Sequence, residues 1–161
     1  MKSLFFVCAI VASAFVAANS DNLLKPANKE ESWRLEVAGD SKAAMKIDGD
    51  SVVFETSTVD STDWHVQAVQ TDLDLKDGKS YTIKFKAKSP DNVSITVNAM
   101  IDQEDWHQIG FNEEVQLGKE FKDFSFDFTA SDTVTKKNRI SFVLGGSKGQ
   151  VSIKELTLKS K

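Results

Sequence analysis

The alternation of apolar and polar side chains in several short segments constrains this chain more than any other feature. In residues 81–88, Tyr, Ile, Phe and Ala alternate with Thr and three Lys, and residues 93–101, 124–129 and 140–145 repeat the same two-residue period. Successive side chains of a β-strand point to opposite faces of its sheet. Each segment therefore predicts a strand with one face in a core. Beyond residue 20, no window sustains the 3.6-residue period of an amphipathic helix.

Weaker alternation and turn residues extend this pattern along the chain. The last strand, residues 151–158, changes parity between Ile153 and Leu156, which predicts a β-bulge. Gly, Pro, Asn and Asp cluster between the segments, where turns need positive or fixed φ angles. Roughly nine or ten short strands with turns about 8–12 residues apart predict an all-β fold, an antiparallel β-sandwich. The weaker strands are predicted at residues 34–38, 43–47, 52–56 and 65–71.

The first 20 residues have a different composition from the rest of the chain. Lys2 precedes an apolar run over residues 4–18, and small residues follow it up to Ser20. This order is typical of a secretory signal peptide, so we expect residues 1–20 to be removed and the protein to be secreted, to an extracellular or periplasmic location. Residues 21–161 would then form a single domain, which at about 140 residues can bury roughly two-thirds of its unfolded surface.

Cysteine content and charge exclude several functions. Cys8, the only cysteine, lies in the predicted signal peptide. The remaining chain therefore has no disulfide, thiolate metal site or thiol nucleophile. The chain carries 20 Lys and Arg against 24 Asp and Glu. This mixed, mildly acidic balance argues against a nucleic-acid partner, which a basic stripe would indicate.

One tripeptide occurs twice. Asp63-Trp64-His65 and Asp105-Trp106-His107 contain both His and two of the three Trp of the chain. Either each Trp packs at the rim of the sandwich as part of the core, or the indoles are platforms on which sugar rings stack. Aromatic contacts and hydrogen bonds each contribute on the order of 1 kcal/mol, so such a site would bind with weak to moderate affinity.

Strand parity separates the candidates. If Ile109 and Phe111 face the core, Trp106 and Gln108 face outward, which makes Trp106 the better stacking platform. Trp64 has inward parity at a strand entrance, which fits either the rim or the core. Neutral amides and an Arg with outward parity supply the donors and acceptors that sugar hydroxyls need. The candidate carbohydrate-binding residues are Trp106, Trp64, Gln67, Gln108, Asn98, Arg139 and His65.

Catalysis and metal binding fit the sequence less well. Two His and two Asp could bind zinc, but they lack the spacing that places ligands on one helix face, and His107 has the inward parity of a satisfied residue at the core edge. Adjacent acids in a strand point to opposite faces, so none of the acid pairs can form the facing couple of a glycosidase. We expect no catalytic residue and no metal ligand. A small glycoside hydrolase is the least favoured alternative.

Several motifs in order resemble carbohydrate-binding modules of families four and nine. Trp64-His65-Val66-Gln67 is followed by the run from Leu73 to Lys88, which is similar to the family's "L-x-x-G-K-x-Y-x-x-x-F-x-A-K". Residues 118–124, 138–145 and 149–158 resemble later family segments, with Phe in place of other aromatics in the first. The resemblance covers about residues 60–158.

The resemblance implies a galactose-binding-like jelly roll that binds a plant or microbial polysaccharide, of β-glucan or xylan type, in a groove. Such modules accompany glycoside hydrolases, so the expected partners are the polysaccharide and cell-wall-degrading enzymes, and the module itself is a non-catalytic monomer. Lys154 replaces a family Asp linked to structural calcium, and no cofactor is expected. The family's N-terminal "G-F-E" is also absent. An interaction or envelope-associated module that has lost sugar binding is therefore the alternative.

Overall fold

The computed structural model describes residues 22–161. The predicted signal peptide, residues 1–20, lies outside the described residues. Two short 3₁₀ turns, Glu30–Ser32 and Asp63–His65, accompany the strands. No helix between residues 22 and 161 has the length and apolar character needed to cross a membrane. The strands are β1 (Arg34–Val37), β2 (Lys42–Asp48), β3 (Ser51–Thr58), β4 (Val66–Leu73), β5 (Ser80–Lys88), β6 (Ser94–Ile101), β7 (Gln108–Gln116), β8 (Lys122–Thr129), β9 (Asn138–Val143) and β10 (Gly149–Ser160).

The strands form two five-stranded antiparallel sheets. The first sheet has the order β1-β4-β9-β6-β7 and the second has the order β2-β3-β10-β5-β8. Neighbours in each sheet are mostly distant in sequence, so the two layers are interleaved along the chain. The predicted antiparallel β-sandwich of the jelly-roll type is confirmed.

Aromatic rings fill the space between the sheets. Trp33, only 7% exposed, makes edge contacts with Phe54 at 5.2 Å and with Phe142 at 5.8 Å between ring centroids. Phe142 also packs edge-on against Phe85 at 5.3 Å. The indole N–H of Trp33 donates to the carbonyl oxygen of Ala27 at 2.8 Å, which satisfies the polar end of this ring inside the core.

The parity change predicted near the end of the chain is a β-bulge. Pairing between β10 and β5 shifts register between Lys154 and Thr157. Glu155 has a φ of 51°, the left-handed conformation that accommodates an extra residue in one strand. Ile153 and Leu156 are both buried as a result. The bulge prediction is confirmed.

The polar N-terminal segment lies along β10 rather than projecting from the sandwich. The backbone N–H of Leu23 donates to the carbonyl of Leu158 at 2.9 Å. The Asn22 side chain accepts from the Leu158 N–H at 2.8 Å and donates to the Leu156 carbonyl at 3.1 Å. Leu24 is buried. The segment thus contributes to the core although it contains no strand among its described residues.

Candidate functional site

The outer face of the first sheet carries a groove with a volume of about 1020 Å³. All five strands of this sheet contribute side chains, and the segments before β4 and β7 add one Trp each. The inward-facing side chains of this sheet belong to the core, so the outward-facing side chains of the same strands line the groove. Every candidate binding residue predicted from the sequence lines this groove: Trp64, His65, Gln67, Asn98, Trp106, Gln108 and Arg139.

Trp64 is one of the two exposed indoles of the groove. It is 57% exposed. The sequence left open whether Trp64 lies at the rim or in the core, and this exposure places it at the rim. It lies in the Asp63–His65 turn rather than in β4, so strand parity does not apply to it. The ring of His65 stands edge-on to it, with centroids 4.3 Å apart.

Backbone hydrogen bonds hold the Trp64 turn to the sheet. The N–H of Gly145 donates to the carbonyl of Asp63 at 3.0 Å, and the N–H of Ala38 donates to the carbonyl of His65 at 2.8 Å. The Gln67 amide donates to the carbonyl of Trp64 at 3.0 Å. Each residue of the turn is therefore tied to a different part of the first sheet.

A His–Asp pair supports the same turn. Nδ1 of His65 lies 2.6 Å from Oδ2 of Asp60. This bond, together with N–H donation from Thr62 and Asp40, holds the pKa of Asp60 below its usual range. Gly39 packs so closely against both side chains that a Cβ there would collide with them. His65 therefore positions Trp64, although it was predicted to contact the sugar itself.

Trp106 is the second exposed indole and lies in the loop between β6 and β7. It is 47% exposed. Asp105 and Trp106 have φ angles of 88° and 47°, a left-handed conformation that is unfavourable for residues other than Gly. The guanidinium carbon of Arg139 lies 4.9 Å from the indole centroid, within the range of a cation–π contact. Arg139 therefore supports the indole from the floor of the groove.

Arg139 connects the two Trp regions. It is only 3% exposed. Its Nη2 donates to Oε1 of Gln67 at 3.3 Å, and Gln67 in turn holds the Trp64 carbonyl. Its Nη1 donates to Glu36 at 3.1 Å and to Asp102 at 3.4 Å. Because these donors are used within the protein, Arg139 and Gln67 form the floor that positions both indoles.

Arg34 completes a cluster of four charges. Its Nη2 lies 2.6 Å from Glu36 and 2.6 Å from Asp102. These bonds raise the pKa of Arg34, and the hydrogen bond from Arg34 is the main cause of a lowered pKa of Asp102. The other members are Glu36, Asp102 and Arg139. Two positive and two negative charges therefore leave this part of the groove close to neutral.

Three polar atoms beneath the groove have no hydrogen-bond partner among the described residues: Oδ1 of Asn98, Nε of Arg139 and Oγ of Ser141. Asn98 pairs with Ser141 on β9 in the sheet register. All three side chains are at most 5% exposed. A buried polar group without a partner is costly, so the floor beneath the two indoles is a polar layer that is not fully satisfied by the described residues.

Other polar side chains reach the groove more openly. Gln108 and Asn112 on β7 and Arg34 on β1 are exposed, and Thr96 on β6 is half-buried. Sequence reasoning missed Asn112, Arg34 and Thr96. Extending the outward parity of Gln108 along β7 would have found Asn112, but β7 was not recognised as a strand. Of the two carboxylates that Arg34 contacts, Glu36 lies on the same strand, whereas Asp102 follows β6 far along the chain, and no local pattern reveals that second contact.

His107 is half-buried at the edge of the sandwich, and both of its ring nitrogens have partners. Its side chain is 36% exposed. It precedes β7, where strand parity does not hold. Its Nε2 lies 2.8 Å from the carbonyl oxygen of Asp132, and its Nδ1 lies 2.9 Å from Oδ2 of Asp105. His107 therefore links the Trp106 loop to the loop that follows β8.

Metal-binding groups do not cluster in the described part of the chain. No group of three or more His, Cys, Asp or Glu between residues 22 and 161 could hold a metal ion. Lys154, where the resembling family has an Asp linked to calcium, pairs with Asp50 at 3.0 Å. An ammonium at this position opposes a cation there.

Residues 27–149 match the sequence model of the carbohydrate binding domain family, which groups modules of families four and nine. The protein belongs to this family, and the resemblance noted in its sequence is confirmed. Its domain is a binding module for carbohydrate rather than a catalytic domain.

Solved structures agree with this assignment at the level of the fold. A family-4 carbohydrate-binding module is 24% identical, with 89% of this chain and 96% of that chain covered and a TM-score of 0.75. The N-terminal cellulose-binding domain of Cellulomonas fimi β-1,4-glucanase C is 15% identical, with 84% and 92% covered and a TM-score of 0.65. TmCBM61, solved with β-1,4-galactotriose, is 18% identical, with 88% and 100% covered and a TM-score of 0.56. No curated protein sequence is significantly similar to this chain.

Proposed function

We propose that this protein is a secreted, non-catalytic module that binds a plant or microbial polysaccharide, of β-glucan or xylan type, in the groove of the first sheet. Trp64 and Trp106 stack on sugar rings, while Asn98, Gln108 and Asn112 form hydrogen bonds with hydroxyl groups. One observation carries the proposal. Two exposed indoles share a groove whose buried floor has polar atoms without protein partners.

Stacking and hydrogen bonding act together in such a groove. A pyranose ring presents C–H groups on its faces and hydroxyls around its edge, so an indole covers a face while amides reach the edge. Each contact contributes about 1 kcal/mol. Affinity therefore depends on several sugars binding at once, as an open groove with two indoles allows.

The charges of the groove favour a neutral chain. Arg34 and Arg139 are both paired with Glu36 and Asp102. An acidic polysaccharide would have to compete with these carboxylates for the guanidinium groups. The backbones of β-glucans and xylans are neutral, and they can use the exposed polar rim without breaking the pairs.

The same pairs argue against hydrolysis. A glycosidase needs one carboxyl group that is protonated near neutral pH and can donate to the leaving group. The pKa of Asp102 is lowered by Arg34, and Glu36 accepts from both Arg side chains. Asp102 therefore remains a charged acceptor, which supports binding without cleavage.

Fold relatives give the proposal its enzyme context. The Cellulomonas fimi neighbour is a cellulose-binding domain of a β-1,4-glucanase. By analogy, we infer that this protein acts beside cell-wall-degrading enzymes, as a monomer, outside the cytoplasm. Mass spectrometry of the exported protein tests the location. The expected mass is that of residues 21–161, and a mature product that retains residues 1–20 would contradict it.

Affinity electrophoresis tests sugar binding. Residues 21–161 run through native gels that contain soluble β-glucan, xylan or mannan, beside Trp64→Ala and Trp106→Ala. We expect β-glucan or xylan to retard the wild type, and each Trp variant to migrate faster in that gel. Ile47→Ala is the matched control, because Ile47 is an exposed apolar residue of the second sheet, outside the groove. It should migrate as the wild type does.

Equal mobility of the wild type in every gel, with and without polysaccharide, would overturn the proposal. That result would favour the alternative of an interaction or envelope-associated module that keeps the fold without sugar binding. Cleavage of the polysaccharide by purified protein would instead support a glycoside hydrolase.

A further inference from the structure

We propose that His107 is a positioning residue for Trp106, and that it holds this indole in the groove only while its imidazole ring is protonated. The inference rests on the proposed function of the groove and extends it to a residue outside the groove lining. Its basis is the hydrogen-bond geometry of the loop between β6 and β7.

Both ring nitrogens of His107 face acceptors. Nδ1 lies 2.9 Å from a carboxylate oxygen of Asp105, and Nε2 lies 2.8 Å from the carbonyl oxygen of Asp132. A carbonyl oxygen can only accept, and an ionised carboxylate has no proton to donate. Neutral imidazole has one N–H, whereas imidazolium has two. Only the protonated ring makes both hydrogen bonds at once.

The two hydrogen bonds of His107 hold a loop whose backbone is strained at Asp105 and Trp106. Asp105 and Trp106 both have left-handed backbones, and neither has the freedom of Gly. His107 anchors this turn at Asp105 on one side and at the loop after β8 on the other. The guanidinium of Arg139 packs against the indole ring of Trp106 from the floor of the groove. Loss of either anchor allows the backbone to relax and the indole to leave Arg139.

The electrostatic surroundings agree with a charged ring. The charged groups that act on His107 are Asp105 from its own loop and Asp132 from the facing loop. Hydrogen bonding to the Asp132 carbonyl, and then to Asp105, raises the pKa of His107 above its ordinary value of 6.5. A raised pKa means that the anchor is complete at low pH and is lost as pH rises through the pKa of the folded state.

The other Asp-Trp-His segment provides an internal control. Nδ1 of His65 donates to Asp60, and a neutral ring makes that bond. Three backbone and amide hydrogen bonds hold the Trp64 turn independently of His65 protonation. A pH effect on the groove above neutrality should therefore depend on His107 and not on His65.

The binding test measures affinity for the retarding polysaccharide between pH 6 and pH 9. We expect wild-type affinity to fall about fivefold across this range, the value of one hydrogen bond. His107→Gln should bind about fivefold more weakly at pH 6 and show no further loss to pH 9. His65→Gln should bind more weakly throughout but keep the slope. A flat wild-type profile, or a slope that survives in His107→Gln, would overturn the inference.

A second measurement needs no ligand, so it separates this inference from the proposed function. In Trp64→Phe, the remaining indoles are buried Trp33 and exposed Trp106, and acrylamide quenching of fluorescence reports Trp106. Quenching should increase from pH 6 to pH 9, and this increase should be absent when His107→Gln is added. If no polysaccharide binds, the proposed function fails while this result still decides the role of His107. Unchanged quenching across the range would refute it.

Discussion

The two Asp-Trp-His segments have the same sequence, but the structure presents their indoles in different ways. Trp64 lies in a regular 3₁₀ turn with several hydrogen bonds to the first sheet. Trp106 lies in a left-handed loop whose side-chain anchors are His107 and Arg139. The Trp64 platform is part of the scaffold, whereas the Trp106 platform depends on a few polar contacts.

Arg139 joins the two platforms, and its loss should have the largest effect. Arg139→Met removes a buried guanidinium that pairs with Glu36 and Asp102. Its loss breaks a buried charge pair and leaves Arg34 as the one cation, among the described residues, that still pairs with both carboxylates. We expect the free energy of unfolding to fall by about 3 kcal/mol, as measured by urea denaturation. Lys76→Met, which removes an exposed pair with Asp74, should change the free energy of unfolding far less, because solvent screens such a pair. Equal losses in the two variants would contradict the role of Arg139.

A substitution at Gly145 tests how much the contact between the Trp64 turn and the first sheet contributes to stability. A Cβ at Gly145 would collide with the backbone carbonyl of Asp63 and separate the turn from its anchor. We expect Gly145→Ala to lower the free energy of unfolding by about 2 kcal/mol and to weaken polysaccharide binding. The matched control is Gly146→Ala, since a Cβ at Gly146 meets open space. If both variants unfold at the same urea concentration, the turn is not held as described.

The indoles themselves should matter little for folding. Trp64 and Trp106 are about half exposed, and the cation–π contact of Trp106 with Arg139 is worth about 1 kcal/mol or less. We expect Trp64→Ala and Trp106→Ala each to lower the free energy of unfolding by under about 1 kcal/mol, while clearly reducing retardation in the polysaccharide gel. Trp33→Ala, in the core, should cost about 3–5 kcal/mol. A large loss of stability in either groove variant would assign that Trp to the core.

The smallest expected effect concerns pH. The Trp64 and Trp106 regions should depend on pH in opposite directions. The pKa of Asp60 is lowered mainly by its bond with His65. The stabilisation it gives the Trp64 turn is therefore complete above the unfolded pKa of about 4 and is lost as pH falls through the folded pKa. We expect Asp60→Asn to melt a few degrees below the wild type at pH 7, with the difference disappearing as pH falls through the lowered pKa of Asp60. A difference that grows in acid would contradict this assignment. The contribution of His107 should disappear in the opposite direction, as pH rises.

The sequence alone was enough for the fold class because alternation is a local property. The strands around Tyr81 and Ile140, and the bulge after Ile153, follow from side-chain parity without knowledge of any partner strand. The same parity placed Gln67, Asn98, Gln108 and Arg139 outside the core. It left Trp64 open, since that residue lies in a 3₁₀ turn where the chain is not extended.

Tertiary structure decided what these residues do. Strand pairing brings Glu36, Asp102 and Arg139 together from β1, the loop after β6, and β9, and no local period encodes contacts between segments so far apart. It buries Arg139 and Gln67 and joins them by a hydrogen bond beneath the indoles. It also sets a carbonyl of Asp132 opposite His107, which gives that ring its second acceptor. The period of two determined which face each strand residue occupies. The strand register and the conformation of the turns decided which residues meet on that face, and the two-residue period determines neither.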